Sequence, residues 1–281
     1  MRRHPDERGF AALVWAAALV VTAVFVWILA DLLLHGLGKL SWDFLTEAPR
    51  SAGRRGGIGP ILVSTLLILA VTLAVAVPLS LAAAMWMSEF ARRSSRIARG
   101  ISFCLDVLAG VPSIVFGLFG NALFSVYLGL GFSIWSGGLT LACMVLPIMI
   151  RATEAGLAAV PPEWRQGAAA LGLTKGAALY HVLLPAALPA MTAGLLLGIG
   201  RAMAETAALI FTSGYVDRMP ESLMDSGRAL AVHIYDLSMN VSGGDRAAYA
   251  SALVLIALLV LINGAALLLS DRFSRKRVLL S

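Results

Sequence analysis

The sequence predicts an all-α membrane protein with six transmembrane helices and both termini in the cytoplasm. Three observations carry that expectation. Hydrophobic residues make up 59% of the 281 and charged residues only 14%, with a mean hydropathy of +0.85, which is too apolar for a soluble domain. Runs without Asp, Glu, Lys or Arg fill residues 9 to 30, 56 to 88, 107 to 150 and 247 to 270, and a crossing needs about 20 apolar residues. Finally, an even number of crossings puts both termini on one side, and the cations favour that side: 14 Lys and Arg fall in the termini and inner segments against 7 in the outer loops, as the positive-inside rule requires.

The helices are expected near residues 10–34, 61–87, 101–125, 133–151, 188–213 and 248–270. The first has a charged start and an apolar run, as a signal peptide does, but the run lacks a small-residue cleavage site, so it is read as a retained helix. The long run at 107–150 divides at "YLGLGFSIWSGG", where four glycines suit a turn and Tyr127 and Trp135 suit an interface. Pro78, Pro112 and Pro147 are expected to kink or loosen their helices. Residues 1–60 form the first helix and a Gly-rich connector with one short turn at Trp42 to Leu45; residues 61–270 form the core; residues 271–281 form a basic tail. Cys104 and Cys143 lie at different depths, so no disulfide is expected.

The segment 152–187 is organised. Pro161 and Pro162 suit a first helical turn, Gly172 a helix stop, and Thr174 an N-cap for a second helix running to Pro185. Trp164, Leu171 and Leu173 on this cytoplasmic corner call for a partner surface; packing against the other helices is the plain alternative. His181 has no ligand companion at metal-binding spacing, so it is read as a surface residue.

The sharpest feature is "LLLGIGRAMAETAALIF", an apolar span holding Arg201 and Glu205. A charge at the bilayer centre costs about 2.5 to 3.5 kcal/mol on insertion scales. At a spacing of four the two side chains share a face and are expected to pair. Gly194, Gly198, Arg201 and Glu205 fall within a stripe roughly 60° wide, and Arg201 lies roughly 18 Å along the helix from Pro189, near mid-membrane. The glycines either seat a neighbouring helix or widen a passage in which Arg201 meets an anion. The second reading is adopted, because buried charges mark substrate paths. Asp106 is expected to pair with an arginine such as Arg99, and Arg151 with Glu154 to form an ordinary interfacial pair or clamp the segment after them. The outer loop at 214–247 is either a solvated loop with one short helix or a gate.

The run Gln166, Gly167, Ala168, then Gly172, Val182, Leu184 and Pro185 resembles the coupling-loop signature of binding-protein-dependent ABC importer permeases, with Gln166 and Gly167 where the signature has Glu and Ala. "GRAMAETAALIF", "IRATEAGLAAVP" and "GGIGPILVSTL" are similar to the phosphate-specific branch, to its A-type more than its C-type permease. The resemblance implies the type I importer permease fold in a bacterial inner membrane. It also implies a C-type permease partner, two copies of a cytoplasmic ATPase and a periplasmic phosphate-binding protein, with the outer loop as gate and docking surface. Arg201, Glu205, Gly194 and Gly198 would line the pathway, and Gln166, Gly167, Ala168, Gly172, Leu184 and Pro185 would receive the ATPase. No phosphate-binding loop is present, since Gly38-Lys39 lacks the other residues; the chain is read as a non-enzyme without cofactor or metal. Scattered cations exclude nucleic acid; the partners include lipid. The rivals are an ion-coupled anion carrier or channel and a non-transporting scaffold or sensor.

Overall fold

A computed structural model describes residues 5–92 and 95–278, with side chains described between Gly9 and Ser270 except at 93 and 94. The predicted basic tail 271–281, Arg2, Arg3, Arg8 and Arg93 lie outside the residues whose side chains are described.

The chain is helical nearly throughout. Helix α1 spans Pro5–Gly36, α2 Trp42–Thr46, and the strands β1 (Pro49–Arg50) and β2 (Arg55–Gly56) pair antiparallel. Then follow α3 (Gly59–Met85), α4 (Arg96–Gly110), α5 (Ser113–Gly120), α6 (Ile134–Ala159), α7 (Pro162–Ala170), α8 (Lys175–Ala178), α9 (Leu184–Met203), α10 (Ala207–Ile210), α11 (Leu230–Met239) and α12 (Asp245–Val278). Among the described residues five helices are long and apolar enough to cross a membrane, and the bent pair α4 and α5 passes the same test together, as a broken span or a re-entrant loop.

That break corrects the straight third helix expected at 101–125. The chain turns through 108° between α4 and α5, because Pro112 lacks an N–H and drives Val111 into an extended conformation (ψ 131°). α4 then lies on α6 through Leu105, which is buried.

α3, α6 and α9 make the core. α3 and α6 are the most extensive pairing, followed by α6 and α9. Gly138 admits Val71 where a Cβ would collide with it, and the Thr72 hydroxyl donates to the Ile68 and Gly138 carbonyls at 2.8 and 3.2 Å. Such satisfied hydroxyls let polar residues sit inside an apolar bundle. α1 is the opposite case: its span has no buried share, and it meets α12 at Gly36, beside Tyr249 and Leu253.

One end of the bundle carries the corner formed by α7 and α8; the other carries the β1–β2 hairpin and α11. α1 starts and α12 finishes at the corner end, since Gly36 meets the first turns of α12 and Ser270 bonds Thr192 in the first half of α9 at 2.8 Å. α6 runs two turns past its expected end at residue 151, because Gly156 and Leu157 are packed against Ala187 and Ala190 of α9 or buried beside them.

Candidate functional site

The span carrying Arg201 does not run to residue 213 as expected. α9 stops at Met203, residues 204–206 are non-helical, and α10 starts at Ala207. The break is tertiary in origin: Gly117 of α5 lies against Ala207 and Ala208, so close that a Cβ on it would come within 2.9 Å of the Ala208 Cα. The predicted Arg201–Glu205 pair is therefore absent from the ion pairs of the described residues. The four-residue rule holds only within a continuous helix. Glu205 instead turns inward, 8% exposed, and accepts from the Ala208 N–H at 3.5 Å.

Arg201 points the other way, to the exposed side of the chain. It belongs to the row Pro189, Ala193, Leu197 and Arg201, all exposed and four apart, hence on one face. The glycines belong to the adjoining buried face. A side chain at Gly194 would strike Ala152, and one at Gly198 would meet Met149 at 3.3 Å. Of the two readings of the glycine stripe, the helix-seating one describes these positions; the glycines do not widen a passage within this chain. Met149 and Val145, opposite Gly198, lie in the middle of α6, which places Arg201 about one turn beyond mid-depth.

The corner is built as the sequence indicates. α7 closes with the Leu173 N–H donating to the Ala168 carbonyl at 3.0 Å and the Gly172 N–H to the Ala169 carbonyl at 3.0 Å, a Schellman stop that puts Gly172 at φ 74°. The Thr174 hydroxyl accepts from the Ala177 N–H at 3.3 Å and caps α8. Gln166 and Gly167 are exposed, and Ala168 is the buried residue of α7. Leu171 is 82% exposed. The second helix does not end at Pro185. It widens into a π turn at Leu179–Leu183 and continues through Leu184 and Pro185 into α9, the wider turn accommodating the bond that proline cannot make. His181 is exposed, its ring Nδ1 3.0 Å from the Ala177 carbonyl.

Three ionic centres emerge that sequence spacing did not single out as hubs. Arg151 binds Asp106 at 2.6 Å, Glu154 at 2.9 Å and the Ser102 carbonyl at 2.9 Å, so Asp106 pairs with Arg151 and not with Arg99, and Arg151, paired with Glu154 on its own helix, ties α6 to α4 through Asp106 and Ser102. Arg165 binds Glu89 at 2.7 Å. At the hairpin end, Arg228 donates to the Tyr215 carbonyl at 2.8 Å and to Asp236 at 3.2 Å and lies 3.4 Å from His233 Nδ1. His233 is fully buried. Burial first, then the cation of Arg228, hold its pKa down to about 4. Partners 45, 76 and 8 residues apart leave no local pattern.

The expected outer loop is thus folded in. Half of α11 is buried, and the Ser133, Ile134 and Trp135 N–H groups at the start of α6 donate to the carbonyls of Thr212, Asp225 and Leu223. The two cysteines are free.

The profile of the family described as "Binding-protein-dependent transport system inner membrane component" matches residues 76–277. The chain is 34% identical over 283 residues to the phosphate transport system permease protein PstA 1 of Mycobacterium tuberculosis, covering 99% of this chain and 92% of that one. It is 34% identical over 220 residues to PstA 2 of Mycobacterium bovis, covering 78% and 71%. It is 29% identical over 276 residues to the probable ABC transporter permease protein YqgI of Bacillus subtilis, covering 92% and 94%. Two solved structures share its fold. One is a bacterial ABC transporter involved in the import of the acidic polysaccharide alginate (TM-score 0.64, 13% identity, 95% of this chain and 96% of that one). The other is the MetNI methionine ABC transporter in an inward-facing conformation (TM-score 0.55, 18% identity, 77% and 95%). A fold of five helices long enough to cross a membrane and one bent apolar pair, a glycine-stopped corner and a sequence match over most of the length converge: the chain belongs to the family of binding-protein-dependent transport system inner membrane components, alongside the PstA phosphate transport system permease proteins.

Proposed function

We propose that this chain is the A-type permease subunit of an ATP-driven importer of inorganic phosphate and forms half of the translocation pathway. A C-type permease supplies the other half, two copies of an ATPase dock on the corner of α7 and α8, and a periplasmic phosphate-binding protein delivers the ion. The corner end is cytoplasmic, with both termini; residues 61–270 make the transport core, and Gln166, Gly167, Ala168, Gly172, Leu184 and Pro185 belong to the ATPase-coupling segment 152–187. The chain itself has no catalytic role.

The observation that carries this reading is Arg201. An arginine exposed on an otherwise apolar helix face near mid-membrane costs several kcal/mol if that face meets lipid, so the face is covered by a protein partner or by water. A guanidinium there offers a planar fork for phosphate oxygens. With Glu205 turned away, its charge is not neutralised within the helix, and the ion meets a full positive charge. Glu205 contributes by holding the break after α9. Gly194 and Gly198 contribute by fixing the helix that presents Arg201.

The test is phosphate uptake by vesicles carrying the whole complex. Loss of one charge-assisted contact worth about 1.5 to 3 kcal/mol predicts a fall of about 10- to 100-fold for Arg201→Ala at unchanged membrane level. Normal uptake by that variant overturns the role. Uptake that survives ATP withdrawal and stops when ion gradients collapse would make the chain an ion-coupled carrier.

A further inference from the structure

Trp164 and Gln166 face outward on α7, but Arg165 between them reaches into the bundle. Its Nη2 donates to Glu89 Oε1 and to the Leu157 carbonyl, both at 2.7 Å; Nη1 donates to the Val160 carbonyl at 2.9 Å; Nε donates to Glu89 Oε1 at 3.2 Å. Leu157 and Val160 close α6, where helix carbonyls lack partners and a cation is favoured. Glu89 sits in the π turn Trp86–Phe90 that extends α3, its side chain 16% exposed. One guanidinium therefore joins α3, α6 and α7. The broader backbone contacts of α7 are with α8 and the turn Leu179–Leu183, which lead into α9 and pack on Leu157 and Val160 at the end of α6.

We infer that Arg165, clamped by Glu89, is the positioning residue that transmits displacement of the corner into α3 and α6. This rests on the importer reading above. A push on α7 reaches α9 through the chain itself, because α8 is continuous with it. It reaches α6 also through the packing of α9 and of the turn Leu179–Leu183 against it, and Arg165 adds the direct polar tie from α7 to the end of α6 and to Glu89 beyond α3. Lysine can keep the charge but cannot serve Glu89 and two carbonyls across a planar fork. The signature's missing carboxylate at Gln166 is consistent with this: the acid that engages the corner is Glu89, on another helix.

The experiment measures ATP hydrolysis and phosphate uptake together in liposomes holding the complete complex and its binding protein. ATP-dependent uptake by the unmodified complex tests the importer reading separately. For Arg165→Ala, hydrolysis stays within about twofold while phosphate imported per ATP falls about tenfold, within the range of ordinary coupling free energies. Arg165→Lys gives an intermediate ratio. Glu89→Gln, which is nearly isosteric and keeps an acceptor oxygen, lowers the ratio less and serves if Arg165→Ala does not assemble. An unchanged ratio in the assembled variants, whether both activities persist or both fall in proportion, overturns the inference.

Discussion

The two ends of the bundle are built on opposite principles. At the corner end, α7 and α8 hold Leu171, Trp164 and Leu173 out in the open, shaped by a glycine stop and a threonine cap, and joined to α3 and α6 by one arginine. At the hairpin end, the segment between α10 and α12 is drawn inward: Leu230, Val232, His233 and Leu237 are fully buried, and the Leu230 N–H donates to the Thr65 hydroxyl at 2.8 Å. Exposed apolar residues on a short, well-capped corner are the kind of surface that partners cover. A buried polar network is a closure that has already found its partners. The difference teaches that local caps shape the corner, whereas long-range bonds hold the segment at the opposite end.

The largest effect should come from opening the closed end. Arg228→Ala leaves Asp236, 18% exposed, without its cation, and breaking such a pair costs about 3 to 5 kcal/mol; thermal unfolding of the purified protein in detergent should show it, and an unchanged midpoint would mean the network is not holding the segment. Acidification should act next. His233 titrates near 4 when folded and near 6.5 when unfolded, so between those values the unfolded chain binds the extra proton. Stability is full above about pH 6.5, declines as pH falls towards 4, and loses at most about 3 kcal/mol. Arg228 and Lys39 oppose charging of the ring and Asp236 favours it; a His233→Gln variant should flatten the profile. At the other end the effects on folding are smaller. Gly172→Ala forces a side chain into the left-handed region and should cost about 1 to 2 kcal/mol, with weaker ATPase binding in pull-down. Leu171→Asp should change stability by less than about 0.5 kcal/mol and still weaken that binding; intact binding would show that the corner is not the contact surface.

Much of the corner was legible because its signals are local. A Pro-Pro start, a glycine stop and a threonine cap act over a few residues, and the structure realises each of them. Apolar runs likewise place five crossings, with ends displaced by several residues where packing extends a helix, as at Leu157. The failures are of another kind. "MAETAAL" contains nothing that forbids a helix, yet α9 ends there because α5 approaches through Gly117 from 90 residues away; the Arg201–Glu205 pair assumed a continuity that a distant glycine removes. Asp106 chose Arg151 over Arg99 because the bend at Pro112 lays α4 on α6. Arg165 and Glu89 carry no pattern at all, since their meeting depends on how α7 folds back beneath α3. Gly194 and Gly198 share a buried face against α6 while Arg201 lies on the adjoining exposed face: helical periodicity tells which residues lie near one another around the axis but not where the buried face ends or what it meets.

The seam between α6 and α9 has a consequence for gating. With a bare backbone against Ala152 and with Met149 in van der Waals reach, α9 has no slack in which to swivel. Turning it about its own axis would drive neighbouring side chains into space that holds none. The direction of the Arg201 side chain is thus fixed by a seam on the adjoining face of its helix, and what it faces changes only if the packed helices move together.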